Sequence, residues 1–493
     1  MVKRKFNKIM LINPPNTMPK NSVRRLPTPL GLMYLGASLR QNDYDVSILD
    51  TTCEGYFNTR DLGENITYGL SDENISTKIK EYAPDLVGVT SMFTAHQSNS
   101  LNTCNLIKKI NPEIPVVIGG IHPSLNPLES ISHSSIDYVV IGEGEYRLIN
   151  LLDSLNKGKP LDFDGIAYKR KDSIKLNPMS SRIINLDNLP LPARDLVDLE
   201  NYIKIGVPFG PFSRKERVEQ IMTTRGCPFS CSFCSTVEYW GHHFRTRSVE
   251  NVIKEIGELV NKYHIEEIQF TDDNLTANKK RAKDLFTKLK KYGLSWSTPN
   301  GLMIQTIDEE MIDLMASSGA YQVSFAVESG SQRVLKEIIN KKVPQKSEVK
   351  KYIERFHKNN VQVHGLFIVG FPGETRDEIQ QTLNYPFDLG FDSASFFIAH
   401  PMPGSRLYKE CEQKGYLDTN LIGKDLQHSA IKIPKDSPDF IMSGKELEKL
   451  VDDATRKLNE HTKNKNPGAW EKKFEQFLKR HGDKADLILG RVT

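Results

Sequence analysis

Three cysteines end the segment Val218-Glu-Gln-Ile-Met-Thr-Thr-Arg-Gly-Cys227-Pro-Phe-Ser-Cys231-Ser-Phe-Cys234. The segment runs from a short apolar strand directly into a C-x3-C-x2-C spacing. Thiolates suit zinc ions and iron–sulfur clusters, and three thiolates on one tight loop can converge on one inorganic core. The chain has only six cysteines, and half of them lie on this loop. A disulfide scaffold would scatter its cysteines, so the spacing predicts a local metal site in a reducing cytosol.

The strand before this loop begins an alternation of strand and helix candidates that continues on the carboxyl-terminal side of the loop. Helical stretches of ten to fifteen residues, such as Val249–Tyr263 and Lys279–Tyr292, separate most of the strand candidates. Six βα units at this spacing predict a partial or full barrel whose chemistry lies on the loops at the strand ends. The six predicted strands are Val218–Thr223, Glu267–Thr271, Trp296–Gly301, Gln322–Val327, Val363–Val369 and Ser393–Ala399.

A second βα series precedes the cysteine loop. Most of its strands are continuous apolar runs, which is typical of parallel strands that are buried on both faces. The pattern predicts a doubly wound, Rossmann-like sheet with a ligand at the carboxyl ends of its strands. The five predicted strands are Ile9–Ile12, Val46–Leu49, Leu86–Thr90, Pro115–Ile118 and Tyr138–Ile141.

The two series set the expected domain boundaries. We expect an α/β domain over residues 1–155, a proline-rich linker with a small hairpin over 156–212, the barrel over 213–430 and a helical segment over 431–493. In the last segment Trp470, Phe474, Phe477 and Leu478 lie at helical spacing beside basic residues. Such a helix most often packs one face on a core. The alternative is contact with a membrane surface or a lipid-like substrate.

Composition and charge exclude several classes of protein. The 493 residues are 38% apolar and 26% charged, which argues against collagen-like, coiled-coil and disordered chains. A net charge of +4 is too small to indicate nucleic-acid binding. No stretch approaches the ~18 apolar residues of a membrane span, and the start of the chain does not fit a signal peptide. We therefore expect a cytoplasmic protein.

The cysteine loop resembles the radical S-adenosylmethionine (SAM) family, with Phe233 at the aromatic position before the last cysteine. The resemblance implies that Cys227, Cys231 and Cys234 bind a [4Fe-4S] cluster whose open iron is chelated by SAM. Cleavage of SAM would then give a 5′-deoxyadenosyl radical. Structural zinc, with His242 or His243 as a fourth ligand, is the alternative, but zinc sites favour paired cysteine modules.

The family resemblance extends over residues 218–408 and implies SAM contacts at the ends of later strands. Asp272, Asp273 and Asn274 stand where the family often has Gly-Gly-Glu, although the same residues could cap a helix. Glu328 and Ser329, in the run Phe325-Ala-Val-Glu-Ser-Gly-Ser331, resemble the residues that approach the methionine or ribose of SAM. Gly370, in Gly365-Leu-Phe-Ile-Val-Gly-Phe-Pro-Gly-Glu374, resembles the strand end that packs on the adenine, or is an ordinary turn residue.

The first domain resembles the cobalamin-binding domain that precedes the radical SAM core in the B12-dependent class. The first βα turn holds Asn13-Pro14-Pro15 and lacks the glycine pattern of dinucleotide sites. Paired glycines at other strand ends would let a large flat ligand approach the backbone. The D-x-H-x-x-G motif that supplies a cobalt ligand in other cobalamin proteins is absent, which leaves the lower axial position unassigned. The candidate cobalamin-binding residues are Ser91, Gly119, Gly120, His122, Gly142, Glu143 and Gly144.

The resemblance implies a cobalamin-dependent radical SAM enzyme that methylates an unactivated carbon of a small-molecule or lipid-like substrate. It also implies an external electron donor, a flavodoxin or ferredoxin, and anaerobic conditions. The alternative within the family is oxidative cyclisation or rearrangement without methyl transfer, with or without the use of B12. A cofactor-based sensor without turnover would explain both cofactor sites but not the set of SAM-contact positions. Methylthiolation needs three amino-terminal cysteines, and only Cys53 and Cys104 lie there.

Overall fold

The computed structural model describes residues 4–170, 173–210, 213–421, 428–465, 475 and 477–489. The chain divides into two compact units. Residues up to Pro208, together with those from Asp486 onward, form the first unit, and Phe209–Ala485 form the second.

The first unit is built on a seven-stranded sheet. Its strands are β1 (Lys8–Asn13), β2 (Asn16–Pro19), β3 (Asp45–Asp50), β4 (Thr59–Leu62), β5 (Asn65–Tyr68), β6 (Leu86–Thr90), β7 (Val116–Gly119), β8 (Tyr138–Val140), β9 (Ile166–Arg170) and β10 (Ser173–Asn177). Its helices are α1 (Leu30–Gln41), α2 (Thr51–Glu54), α3 (Asp72–Tyr82), α4 (Gln97–Ile110), α5 (Ile121–Leu125), α6 (Pro127–Ser132), α7 (Gly144–Lys157) and α8 (Leu199–Ile205).

The large sheet has the strand order β10-β9-β8-β7-β6-β1-β3. The five strands from β8 to β3 are parallel, and all five coincide with the predicted strands to within two residues. They are apolar on both faces because helices cover both: Val87, Val116 and Val139 are inaccessible to solvent. The strand order reverses between β1 and β6, so the ligand crevice of this doubly wound sheet lies at the carboxyl ends of those two strands.

Two antiparallel additions surround this parallel sheet. The hairpin β9–β10, which lies in the segment expected to be a linker, extends the sheet beyond β8. The strands β2, β5 and β4 form a separate three-stranded sheet that the sequence did not predict. Every residue of β4 is exposed, so the strand carries no hydrophobic alternation that could have revealed it.

The second unit contains a parallel sheet of six strands. Its strands are β11 (Val218–Ile221), β12 (Thr224–Arg225), β13 (Arg245–Thr246), β14 (Glu267–Phe270), β15 (Ser295–Leu302), β16 (Ala320–Glu328), β17 (Gln362–Val369) and β18 (Ser393–Ile398). Its helices are α9 (Thr236–Trp240), α10 (Val249–Tyr263), α11 (Lys279–Leu289), α12 (Glu309–Ser317), α13 (Lys346–Lys358), α14 (Arg376–Leu389), α15 (Arg406–Gln413) and α16 (Gly444–Lys465), with a π-helix at Val334–Ile339.

The six long strands follow one another in chain order, β11-β14-β15-β16-β17-β18. Among the described residues β18 does not pair with β11, so the sheet is a partial barrel, as predicted. Aromatic side chains fasten the helices to the outer face: Trp296 stacks on Phe286 with ring centroids 5.0 Å apart, and Phe325 meets Phe356 at 5.7 Å. The loops at the carboxyl ends of the strands therefore share one rim, where the cysteine loop also lies.

The carboxyl-terminal part is helical, as expected. Helix α16 covers β18, and the Thr462 hydroxyl donates a hydrogen bond to the Asp392 carbonyl at 3.0 Å. In the short helix that follows, Phe477 is buried against His481, whereas Leu478 is 38% exposed. Trp470 and Phe474 lie outside the described residues. In the part of the chain that the structure describes, no helix is long and apolar enough to cross a bilayer.

Candidate functional site

The cysteine loop is held in place by two segments that follow much later in the chain. Backbone hydrogen bonds join Ser232 N–H to the Ile339 carbonyl and Leu407 N–H to the Ser232 carbonyl, both at 2.8 Å. The Asn340 amide donates to the Ser230 carbonyl at 3.3 Å. The end of the π-helix and the start of α15 therefore fix the position of the loop by hydrogen bonds to its backbone.

The three loop thiols differ from the other three in the chain. Cys227, Cys231 and Cys234 are partly exposed, whereas Cys53, Cys104 and Cys411 are buried. Burial raises the pKa of Cys227 to about 12 and that of Cys231 to about 11, and repulsion from the neighbouring thiolates adds to both shifts. A bound cationic centre would relieve that repulsion and stabilise all three thiolates.

This donor set fits a cluster with three protein ligands. In the described ranges no three His, Cys, Asp or Glu side chains, the loop thiols included, already stand close enough to hold one metal ion, so the spacing of these groups favours neither the cluster nor the zinc alternative with His242 or His243.

The acidic residues after β14 divide into two roles. Asp272 is fully buried, and its carboxylate accepts hydrogen bonds from the Thr223 N–H (3.0 Å) and from the Thr223 and Thr224 hydroxyls (2.8 and 2.6 Å). It therefore ties β14 to the start of the cysteine loop. Asp273 accepts a hydrogen bond from the Gly226 N–H, and its charge is felt by Cys227 and Cys234. Burial, reinforced by Asp272, raises the pKa of Asp273 to about 6.

Asn274 completes the group at the end of β14. Its side-chain oxygen accepts a hydrogen bond from the Thr276 hydroxyl at 3.3 Å. Its Nδ2 is buried without a hydrogen-bond partner among the described residues. An unsatisfied buried donor at this rim suits a ligand that offers an acceptor.

Glu328, at the end of β16, forms a buried ion pair that the sequence did not predict. Its backbone has a φ of +72°, uncommon for a residue with a side chain. The Lys341 ammonium lies 2.8 Å from Glu328 Oε1, and both side chains are less than a tenth exposed. Both charges act on the Cys231 thiol, so the pair lies beside the cysteine loop. Lys341 stands in a lysine pair at the end of the π-helix, a pattern that normally indicates a solvated surface.

Ser329 is directed toward α14. Its hydroxyl lies 3.0 Å from the Thr382 hydroxyl and accepts a hydrogen bond from the Ser331 N–H at 3.2 Å. These contacts fix the strand end that carries Glu328.

The end of β17 lies next to the cysteine loop, since the ring centroids of Phe233 and Phe371 are 6.2 Å apart. Gly370 N–H and Phe371 N–H donate to Glu374 Oε2 at 2.6 and 3.1 Å. Burial raises the pKa of Glu374 to about 7, and its Oε1 has no described partner. Sequence reasoning selected Gly370 but not Glu374, which shapes the turn. The position of Glu374 directly after the Gly-Phe-Pro-Gly turn was the available signal.

The crevice of the first unit contains polar atoms without partners. Ser91, after β6, donates its N–H to the Gly119 carbonyl at 2.8 Å. A Cβ on Gly120 would stand 2.5 Å from the Ser91 carbonyl oxygen, so this glycine permits the two strand ends to approach. The Ser91 hydroxyl and His122 Nε2 are buried with no described partner, and burial lowers the pKa of His122. Buried polar atoms without partners at a strand end suit a ligand that offers hydrogen-bonding groups.

The turn after β8 is covered by the chain itself. A Cβ on Gly142, whose φ is +77°, would stand 2.2 Å from the Met179 sulfur. Glu143 Oε2 accepts a hydrogen bond from the Ile183 N–H at 3.0 Å. A Cβ on Gly144 would stand 3.0 Å from Leu35. Gly142, which was expected to let a flat ligand approach, therefore lies against residues 178–183 of the protein itself, which we call the strap. Gly144 lies against Leu35 instead.

Two family models match the chain. The Radical SAM superfamily matches residues 221–385, and the B12 binding domain matches residues 20–152. The first match contains the cysteine loop and the ends of β14, β16 and β17. The second contains the crevice of the first unit.

Relatives match along most of the chain. Cytidylyl-2-hydroxyethylphosphonate methyltransferase from Streptomyces wedmorensis is 36% identical over 490 residues, which cover 92% of this chain and 90% of the relative. An uncharacterized methyltransferase from Pyrococcus horikoshii is 36% identical over 409 residues, which cover 82% of this chain and 83% of the relative. The solved cobalamin-dependent SAM radical enzyme OxsB shares the fold with a TM-score of 0.69 at 16% identity, covering 98% of this chain and 70% of that chain.

Proposed function

The chain belongs to the radical SAM methyltransferases that carry a B12-binding domain, and from this membership we propose its substrate, its electron donor and the roles of its residues. Its cofactors are a [4Fe-4S] cluster, SAM and cobalamin. It is an enzyme that methylates carbon in a small-molecule substrate.

The assignment of residues rests on one observation. The three partly exposed thiols, Asp273 and the Glu328–Lys341 pair lie together at the carboxyl rim of the partial barrel. When bound, the cluster and SAM supply a 5′-deoxyadenosyl radical, and cobalamin supplies the methyl group. We propose that Cys227, Cys231 and Cys234 hold the cluster.

Around the thiols, we propose that six further side chains and one glycine orient SAM, because they stand on the same rim. Asp273 offers a carboxylate to a ligand ammonium, and Asn274 offers its unsatisfied Nδ2 to a ligand acceptor. Asp272 and Ser329 act through the backbone that they fix. The candidate SAM-binding residues are Phe233, Asp272, Asp273, Asn274, Glu328, Ser329 and Gly370.

For cobalamin, the orphan polar atoms of Ser91 and His122 support a role in binding its peripheral groups. Gly119 and Gly120 shape the crevice floor, and the turn Gly142-Glu143-Gly144 shapes its side together with the strap. We propose matching functional domains: residues 1–155 bind cobalamin, and residues 213–430 carry out the radical chemistry. Residues 156–212 link the two, and residues 431–493 form the helical carboxyl-terminal segment.

We propose a polar substrate of the nucleotidyl phosphonate class, such as cytidylyl-2-hydroxyethylphosphonate. The support is 36% identity along 90% of a relative that carries this substrate in its name.

The proposal is tested with anaerobically reconstituted protein, SAM carrying a labelled methyl group, hydroxocobalamin and dithionite. We expect label to appear in cytidylyl-2-hydroxyethylphosphonate, and much less in free 2-hydroxyethylphosphonate, which lacks the nucleotide. Formation of 5′-deoxyadenosine with neither compound labelled would contradict the substrate. Absence of 5′-deoxyadenosine would contradict the proposed function itself.

We further propose that the protein works in the cytoplasm under anaerobic conditions and receives electrons from a flavodoxin or ferredoxin. Peripheral membrane contact through the last helix has less support, because Phe477 is buried and only Leu478 of the described aromatic and aliphatic side chains there is exposed.

A further inference from the structure

The outer side of the cysteine loop reaches the protein surface. Pro228 and Ser230 are exposed, whereas Cys227 and Cys231 on either side are only partly so. The inner side of the loop faces the barrel rim, where Asp273 and the Glu328–Lys341 pair lie. This exposed stretch therefore offers an electron a route to the thiol-bound centre that does not cross the substrate side.

Two segments frame the exposed stretch and are hydrogen-bonded to it and to each other. The Asn340 amide bonds the Ser230 carbonyl, and the Ser230 hydroxyl lies 3.2 Å from the same nitrogen. The Arg406 guanidinium donates to the Ile338 carbonyl at 3.0 Å. Residues 336–342 and the start of α15 are thus a fixed frame around the loop and not independent surface segments.

The frame carries unbalanced positive charge. Lys336, Lys342 and Arg406 are exposed, and no carboxylate in the described part of the chain pairs with them. Two neighbouring acids pair with other cations: Glu238 lies 3.2 Å from Lys409, and Glu410 lies 3.0 Å from Lys414. Glu337 lies 3.8 Å from Arg333, which Glu378 binds more closely, so it is the one nearby carboxylate of the described residues that offsets part of the charge. We call Lys336, Lys342 and Arg406 the cationic face. Because the whole chain carries only +4, this concentration of charge beside one loop is a local feature.

We propose that the cationic face is the docking surface of a small acidic electron-carrier protein; this inference rests on the proposed function. One electron leaves the reduced carrier and enters the oxidised centre held by the cysteines, and no bond or proton need move. Opposite charge accelerates encounter and orients the carrier with its donor toward Pro228 and Ser230. The association does not need to be tight, since the oxidised carrier must leave after each transfer.

The test compares reduction by a protein with reduction by a small molecule. Anaerobically reconstituted full-length protein is mixed rapidly with photoreduced flavodoxin, and bleaching of the cluster absorbance is followed. In the variant Lys336→Glu/Lys342→Glu/Arg406→Glu we expect reduction by flavodoxin to slow about tenfold at low ionic strength. The difference should shrink as salt rises toward 0.5 M, because screening shortens the reach of the charges. Reduction by dithionite should keep its wild-type rate.

A matched variant controls for net charge. Lys254, Lys262 and Lys291 line a groove on the outside of the barrel helices, and Lys254→Glu/Lys262→Glu/Lys291→Glu changes the total charge by the same amount. We expect wild-type reduction by flavodoxin in this variant. Equal slowing in both triple variants, or no slowing in the first, would overturn the inference. If the first variant folds poorly, Lys336→Gln/Lys342→Gln/Arg406→Gln should give a smaller slowing with the same salt dependence.

The same experiment separates this inference from the proposed function. Dithionite-driven formation of 5′-deoxyadenosine by the wild-type protein tests the function without any carrier. If that reaction succeeds while the charge-reversed variant accepts electrons from flavodoxin at the wild-type rate, only the docking surface is wrong.

Discussion

Lys341 and Glu328 form an ion pair that is almost completely shielded from water. Removing one partner of such a pair leaves a buried charge without compensation, which costs about 3–5 kcal/mol. We predict that Lys341→Met lowers the free energy of unfolding of the second unit by that amount. Urea denaturation followed by tryptophan fluorescence measures it, because all three tryptophans of the sequence lie beyond residue 209.

Two further variants decide the cause of that loss. Lys342→Met changes the exposed neighbour and should shift the unfolding free energy by less than about 0.5 kcal/mol. Lys341→Met/Glu328→Gln removes both charges and should recover most of the lost stability. If the double variant were as unstable as Lys341→Met alone, the ion pair would not be the reason for the effect.

Glu374 should make the stability of the second unit depend on pH. Burial raises the pKa of its carboxyl group to about 7, from an ordinary value near 4.5. The folded state therefore holds a proton that the unfolded chain releases, and the associated stability is fully present below pH 4.5 and lost as pH rises to 7. Relative to Glu374→Gln, the wild-type protein should lose up to about 1.4 kcal/mol per pH unit over that interval. Urea titrations at pH 5, 6, 7 and 8 would show a pH-independent difference if Glu374 stayed ionised throughout.

The residues proposed to bind the cofactors could be predicted from sequence where the pattern that marks them lies within a short stretch of the chain. Cys227, Cys231 and Cys234 lie within eight positions, and Asp273 follows a recognisable strand. Lys341 was not predictable, because its partner is thirteen positions away and only the left-handed backbone at Glu328 and the π-helix bring the two together.

The strap of residues 178–183 restrains the strand ends of the first unit. Asp164 Oδ2 accepts hydrogen bonds from the Ser180 and Ser181 N–H groups, both at 2.8 Å, and the Arg147 guanidinium donates to the Ser181 carbonyl at 2.6 Å. Met179 then packs where a side chain on Gly142 would project. The hairpin β9–β10 and this strap make the proline-rich segment a structural part of the sheet.

We predict that Gly142→Ala is more costly than a change at an open glycine of similar backbone conformation. Gly158 has a φ of +60° and nothing within 4 Å of the Cβ position, so Gly158→Ala should cost only about 1–2 kcal/mol of backbone strain. In Gly142→Ala a steric conflict adds to the backbone strain, because the new Cβ would stand 2.2 Å from the Met179 sulfur. Hydrogen exchange of the β8 amides measures the local stability of this element.

The background variant Met179→Ala isolates the contact. In it the cost of Gly142→Ala should fall to that of Gly158→Ala, because the backbone strain remains and the steric conflict is removed. An unchanged excess in the Met179→Ala background would mean that the strap does not press on this turn.

Prediction at the level of elements succeeded where strands are buried and failed where they are not. The parallel strands can be recognised in the sequence as apolar runs, of which Leu86–Thr90 is an example. The strands β2, β4 and β5 are short, and their pairing depends on a chain path that no periodicity records. The pairing of β12 with β13, which flanks the cysteine loop, could not be predicted either, because two-residue strands are too short to show an alternation of apolar and polar residues.

The two compact units each have their own sheet and hydrophobic core. The core of the first includes Met10, Val89 and Ile118, all within its own residues. The cysteine loop belongs entirely to the second unit, and the crevice with Ser91 and His122 belongs to the first. The residues proposed for the cluster and those proposed for cobalamin therefore lie in different compact units.

From this separation we predict independent loading of the two metallocofactors. Cys227→Ala/Cys231→Ala/Cys234→Ala should abolish iron binding on anaerobic reconstitution, whereas its affinity for hydroxocobalamin, measured by absorbance titration, should stay within about twofold of wild type. Conversely, Gly120→Ala places a Cβ 2.5 Å from the Ser91 carbonyl oxygen and should weaken cobalamin binding without lowering the iron content. A tenfold loss of cobalamin affinity in the cysteine variant corresponds to about 1.4 kcal/mol of coupling between the sites. That result would contradict independent loading, and it would mean that the cluster organises residues well beyond its own loop.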